Sequence, residues 1–258
     1  QHRSGNDNVR SLVNLALLTG NIGKECSGIY PLMGQNNGQG AFNMGAISDF
    51  YTDSQPVSDI NVRKKFEKVY KTKLPKSKGL QIREMFNAAS KGKVRSMYVM
   101  GADPIMSEPD TTKVKKAISK LDFLIVQDIF MSNTAQYADV ILPAACFAEK
   151  DGTFTNIERR VQRVRKTVEP PGKAKADWNI ISELSTCMGH PMNYSSPEAI
   201  WEEIRKISPN FAGINYQRLN NGGIQWPCPK ADHPGTKFLY EKKFPNGKAM
   251  FSSTESKP

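Results

Sequence analysis

Two short apolar runs, each ending beside an aspartate at a turn, constrain this chain more than any other feature. Residues 96–100 read Ser-Met-Tyr-Val-Met and break into Gly101, Ala102, Asp103 and Pro104. Residues 123–126 read Phe-Leu-Ile-Val and break into Gln127, Asp128, Ile129 and Phe130. Apolar runs of that length, bounded by turn signals and separated by a helical stretch, predict neighbouring parallel strands joined by a helix. A third run, Ala-Asp-Val-Ile-Leu-Pro at 138–143, extends the pattern. The expected fold class is α/β, a parallel-sheet αβα nucleotide-binding domain with irregular excursions. Open parallel sheets bind ligands outside the carboxyl ends of their strands. Asp103 and Asp128 are therefore expected together at one edge, where a nucleotide would sit.

Around this unit the sequence predicts further helices. Asp7 or Asn8 can cap a helix over residues 9–18 that stops at Gly20, and its dense apolar residues suggest burial against a sheet. Residues 81–91 read as a helix ended by Gly92, and residues 111–118 as the crossover helix. A helix over 177–188 has Asp177 at its N-cap, and one over 197–205 has Ser196 as cap and Pro197 at its first position. Residues 20–50, dense in Gly and Asn, are either a surface loop or a loop that lets backbone approach a ligand. Beyond Ser208 the chain is rich in Pro, Gly and Asn and shows little periodicity.

Composition excludes several classes. No apolar run nears the roughly 18 residues needed to span a bilayer. Cys26, Cys146, Cys187 and Cys228 are too widely spaced for a zinc or iron–sulfur motif, and they fit reduced thiols in a cytoplasmic setting. His2, His190 and His233 are scattered, so no catalytic or metal-ligating residue is assigned. The net charge of +11 is uneven: residues 61–95 hold twelve Lys or Arg against Glu67 and Glu84. That run lacks the interleaved aromatics of a single-strand binder, and no duplex-reading motif accompanies it. It reads as a basic excursion with a short amphipathic helix, either solvated or docking an acidic partner.

Five stretches resemble one family in order. They include Gly34-Gln-Asn-Asn37, Gly-Ala-Asp-Pro at 101–104, Gln-Asp-Ile-Phe at 127–130, Ala-Asp-Val-Ile-Leu-Pro at 138–143 and Gly-Thr-Phe-Thr-Asn-Ile-Glu-Arg-Arg-Val-Gln at 152–162, and the likeness runs from Gly20-Asn-Ile-Gly23 to Gln225-Trp-Pro-Cys228. The family is the bis-molybdopterin guanine dinucleotide oxidoreductases, and the nearest likeness is to catalytic (alpha) subunits of formate dehydrogenase. The resemblance implies bis-molybdopterin guanine dinucleotide with molybdenum or tungsten, and two-electron oxidation of formate to carbon dioxide. It implies that residues 1–258 are one α/β cofactor-binding region inside a larger subunit, inactive alone. The iron–sulfur cluster and metal ligand would belong to an N-terminal part, and a further domain would follow. Residues 147–175 and 198–239 would be excursions packing on the iron–sulfur domain, with a separate electron-transfer subunit as partner.

Carried over residue by residue, the expected cofactor contacts are Gln35, Asp103, Ser107, Gln127, Asp128 and Asp177. Guanine presents N1–H and an amino group side by side, and one carboxylate can accept both. Asp103 is equally a turn residue before proline, and Asp177 equally a plain N-cap. Thr153, Thr155, Asn156, Arg159 and Arg160 lie in a segment that is either a charged hairpin or a packing element near the cofactor. One departure bears on substrate: formate dehydrogenases carry arginine where this chain has Met33, and methionine cannot pair with a carboxylate. Two rivals remain: a non-enzymatic relative such as the large subunit of NADH–quinone oxidoreductase, and a basic nucleic-acid-binding module.

Overall fold

The computed structural model describes residues 4–254; His2 lies outside them. The chain opens with α1 (Gly5–Leu18) and α2 (Gly38–Asn43), then a ribbon of β1 (Phe50–Tyr51) and β2 (Gln55–Pro56), then α3 (Ile60–Tyr70) and α4 (Ile82–Ser90). The expected βαβ unit follows: β3 (Ser96–Met100), α5 (Pro104–Ser107), α6 (Thr111–Ile118), β4 (Phe123–Asp128) and β5 (Val140–Pro143). After it come β6 (Gly152–Thr155), β7 (Arg160–Val164), α7 (Asp177–Cys187), α8 (Pro197–Ile207), α9 (Tyr216–Leu219) and β8 (Ile224–Gln225).

Strands β3, β4 and β5 pair in that order, both pairs parallel. Side chains alternate across a strand, so Met97, Val99, Leu124 and Val126 share one face. They pack there with Phe86 and Ala89 of α4 and Val114, Ala117 and Ile118 of α6. Local signals set these helices: the Asp110 carboxylate accepts the Lys113 N–H at 2.9 Å to start α6, and Gly92 (φ 69°) lets the chain turn after α4. The opposite face carries Tyr98, Met100, Phe123, Ile125 and Gln127. Gln127 is fully buried, while Tyr98, Met100 and Phe123 are 39%, 47% and 42% exposed. The α/β fold is as expected, but α4 and α6 cover one face only. Asp177, the first residue of α7, meets the other.

The two stretches read as excursions build a second core together. β6, β7 and β8 form an antiparallel sheet. Val161 packs there with Trp201, Phe211, Ile214, Tyr216, Leu219, Ile224 and Cys228. The Trp201 indole N–H donates to the Ile214 carbonyl at 2.6 Å, and its ring stands edge-on to Phe211 at 5.9 Å. The weak periodicity after Ser208 concealed this core, because its anchors are single residues on turns and one-turn helices.

Two local expectations need correction. Helix α1 begins at Gly5, four residues earlier than expected, and none of its residues is buried. Val9, Leu12, Leu15 and Leu18 are 60%, 64%, 55% and 75% exposed. Their spacing makes an apolar stripe, which residues 26–28 approach beside Leu12 and Leu15 without burying it. Helix α7 starts at Asp177 itself, with Ala176 as N-cap. The basic excursion does hold the expected amphipathic helix, α3, capped where Asp59 accepts the Asn61 and Val62 N–H groups. Phe66 is its fully buried anchor, stacked on Tyr51 at 4.6 Å.

Candidate cofactor-binding site

The parallel register places Met100 opposite Gln127 and Gln127 opposite Leu142, so Gln127 sits in the middle strand near the carboxyl edge of the sheet. Its amide nitrogen donates to Asp177 Oδ1 at 2.6 Å, and its carbonyl accepts the Tyr98 hydroxyl. Lys150 Nζ donates to Asp177 Oδ2 and, at 2.8 Å, to the Ala145 carbonyl. The Asp177 carboxylate, in the first turn of α7, also lies where the helix dipole favours negative charge. Partial burial, reinforced by the nearby Asp177 charge, raises the Tyr98 pKa and keeps its phenol protonated. The predicted residues Gln127 and Asp177 are thus brought together. Tyr98 and Lys150 join them without having been singled out from sequence. The one prior signal for Tyr98 was its polar tip within an apolar strand; Lys150 offered none.

Asp103 lies at the same edge but is engaged internally. Its Oδ1 accepts the Thr134 hydroxyl (2.6 Å) and N–H (3.1 Å), and its Oδ2 accepts the Asn133 N–H (3.0 Å) and amide nitrogen (3.1 Å). Four donors fill the four lone-pair directions of a carboxylate. Burial would raise its pKa, but these hydrogen bonds outweigh that and hold it below the ordinary 3.8. Asp103 therefore ties the turn after β3 to the loop after β4. Asp128 differs: its Oδ1 accepts the Ile129 N–H at 2.7 Å and the Phe130 N–H at 3.4 Å, within its own loop. No hydrogen bond from the described residues reaches its Oδ2. Around it Ile129, Phe130 and Met131 are 48%, 77% and 63% exposed, an apolar rim beside a free acceptor.

Ser107 ends α5 with its side chain exposed, and its N–H donates to the Asp103 carbonyl at 2.9 Å. Gln35 is exposed in the loop before α2 and makes no hydrogen bond to the other five residues. That loop is anchored elsewhere: Asn37 Oδ1 accepts the Thr155 N–H of β6 at 2.9 Å. Arg159 serves the fold. Its guanidinium donates to the carbonyls of Trp226, Thr236 (3.1 Å) and Lys237 (3.1 Å) and lies 5.5 Å from the Trp226 ring centre. Burial lowers its pKa. A cleft of about 300 Å³ opens beside it, walled by Tyr30, Trp226, Phe238 and Tyr240, and none of the six candidate residues lines it. Among the described residues no group of three His, Cys, Asp or Glu is placed to hold a metal ion. No described helix is long and apolar enough to cross a membrane.

The sheet edge thus offers carboxylates among hydrogen-bonded neighbours, and comparison with known proteins identifies the family. Residues 1–187 match the family model described as molybdopterin oxidoreductase. The chain belongs to the molybdopterin oxidoreductase family. It is 51% identical over 246 residues to an F420-dependent formate dehydrogenase subunit alpha of Methanocaldococcus jannaschii, spanning 95% of this chain and 36% of that one. It is 46% identical over 258 residues to formate dehydrogenase H of Escherichia coli, spanning 97% and 36%. The chain thus covers about a third of the length of these relatives. Acetylene hydratase from Pelobacter acetylenicus aligns in structure with a TM-score of 0.48 at 21% identity, over 64% of this chain and 23% of that one, a likeness too distant to bear on function.

Proposed function

We propose that this chain is the part of a formate-oxidising molybdenum or tungsten enzyme that grips one guanine end of a bis-molybdopterin guanine dinucleotide. The observation that carries the reading is the 51% identity, along 95% of the chain, to a formate dehydrogenase alpha subunit. The residues present suit the group. No described residue donates to Asp128 Oδ2, Asp177 is partly exposed at 31%, and Ser107 is exposed. Asp128 and Asp177 accept from the N1–H and amino group of guanine, Gln127 orients Asp177, Ser107 adds a hydroxyl, and Gln35 approaches from its own loop. Asp103 acts by holding the loop that follows Asp128. When bound, the cofactor supplies the metal that takes two electrons from formate; this chain binds and orients it.

The same reading assigns an iron–sulfur cluster, the metal ligand and a closing domain to the rest of the subunit, with residues 147–175 and 198–239 packing on the cluster-bearing part. It also assigns an electron-transfer subunit and a cytoplasmic location. Neither the non-enzymatic relative nor the nucleic-acid-binding module gains support from the relatives named above. The test is calorimetric titration of the chain with guanosine 5′-diphosphate (GDP). The wild type binds, and Asp128→Asn or Asp177→Asn weakens binding about ten- to a hundredfold, the scale of hydrogen bonds to charged groups. Wild-type affinity left intact by both substitutions sinks the site. In the full-length enzyme, formate-dependent reduction of a viologen dye is the corresponding assay, and its absence sinks the substrate.

A further inference from the structure

The hydrogen-bonded row through Gln127 and Asp177 has a polarity that its two end residues determine. Lys150 is a donor only, and two of its contacts are Asp177 Oδ2 and the Ala145 carbonyl. An ionised carboxylate is an acceptor only, so Asp177 Oδ1 requires the amide nitrogen of Gln127, which it meets at 2.6 Å. The Gln127 carbonyl then faces Tyr98, whose hydroxyl must donate. Turning the amide over would set its carbonyl against the carboxylate, two acceptors with no proton between them. Gln127 is fully buried, so water cannot repair that arrangement.

This ordering decides what the sheet edge shows a ligand. The Tyr98 proton is spent inward, leaving lone pairs on its oxygen. The Gln127 amide is spent on Asp177, which keeps lone pairs of its own. Lys150 retains one ammonium proton, but its side chain is only 23% exposed, against 31% for Asp177 and 39% for the residue Tyr98. A wall of acceptors favours a ligand edge made of donors. Guanine has one, N1–H beside the amino group. Hypoxanthine keeps N1–H and lacks the amino group.

We infer that Tyr98 and Lys150 are positioning residues that set the specificity of this site for the guanine edge, by locking Gln127 and Asp177 in one hydrogen-bonding polarity. The inference rests on the guanine-site reading above and deepens it from contact to selectivity. Neither residue needs to touch the ligand. Tyr98 acts through the Gln127 carbonyl, and Lys150 acts through the second oxygen of Asp177.

The experiment compares wild type, Tyr98→Phe and Lys150→Met as full chains, each first checked by thermal melting. Tyr98→Phe removes one oxygen from a partly exposed ring and safeguards the comparison if Lys150→Met fails to fold. Hydrogen exchange of the Gln127 side-chain amide, followed by NMR without ligand, reads the lock directly. Titration with GDP and with inosine 5′-diphosphate reads selectivity. Both variants are expected to speed Gln127 exchange about tenfold or more and to lower the GDP preference by about tenfold, the effect of one net hydrogen bond. A purely structural role would weaken both nucleotides alike and leave their ratio unchanged. Unchanged exchange in Tyr98→Phe overturns the lock, and an unchanged ratio overturns the specificity. If the wild type binds neither nucleotide, the guanine reading falls and the specificity claim with it, while the exchange result still decides the positioning.

Discussion

Asp103 stands at the strand end where sequence places a ligand contact, yet its acceptor capacity goes to Asn133 and Thr134. Its folded pKa lies below 3.8, so its contribution to stability is complete above that value and is lost as pH falls through the folded pKa. Asp103→Asn should therefore cost about 1 kcal/mol or more in urea unfolding near neutral pH, the scale of net hydrogen bonds. The gap from wild type should close as the pH is lowered below the carboxylate range. A gap independent of pH would remove the carboxylate from the explanation. Met33 is the second residue with a measurable consequence. Its thioether folds against Gly38, where an added Cβ would stand 2.7 Å from the sulfur. In the full-length enzyme Met33→Arg should strengthen apparent formate affinity about tenfold, through a charge-assisted pair. Steady-state kinetics that leave KM unchanged would mean another cation already fills that role.

Among the elements, α1 and α3 behave oppositely. Helix α3 is stitched in by the Asp59 cap and by Phe66, so Asp59→Ala should cost about 1 kcal/mol of stability. Helix α1 presents Leu12 and Leu15 to solvent, at 64% and 55% exposure. The double substitution Leu12→Gln with Leu15→Gln should change the unfolding free energy of the chain by less than about 0.5 kcal/mol. A large loss would mean that this stripe is buried in solution. Both helices have clear apolar patterning, and among the described residues only α3 buries an anchor on its apolar face. Patterning reports that a face is apolar; it does not report what covers it.

For the whole molecule, two hydrophobic cores share one chain. Leu124, 1% exposed, anchors the parallel-sheet core, and Ile214, fully buried, anchors the antiparallel one. Leu124→Ala and Ile214→Ala should each cost about 2–5 kcal/mol, as buried large-to-small changes do. They should also act locally. Hydrogen exchange should speed in β3 to β5 for the first substitution and in β6 to β8 for the second. Uniform acceleration in both variants would instead make the cores a single cooperative unit.

The βαβ unit was readable from sequence because short-range signals specify it: apolar runs of strand length, a capped crossover helix and glycines at the turns after α4 and β3, Gly92 and Gly101. Those signals act over a few residues and need no partner, so β3, β4, β5, α4 and α6 follow from them. The family was readable for a related reason, since its motifs are contiguous. Tertiary structure alone decided the rest. Residues 152–164 and 197–228 join in one core through contacts between segments far apart in the chain. Lys150 meets Asp177 across 27 residues, and Tyr98 meets Gln127 across 29. Asp103 became a tie rather than a free acceptor because Asn133 and Thr134 arrive from 30 and 31 residues away. A carboxylate's role depends on which donors reach it, and local sequence does not encode which donors the fold will bring.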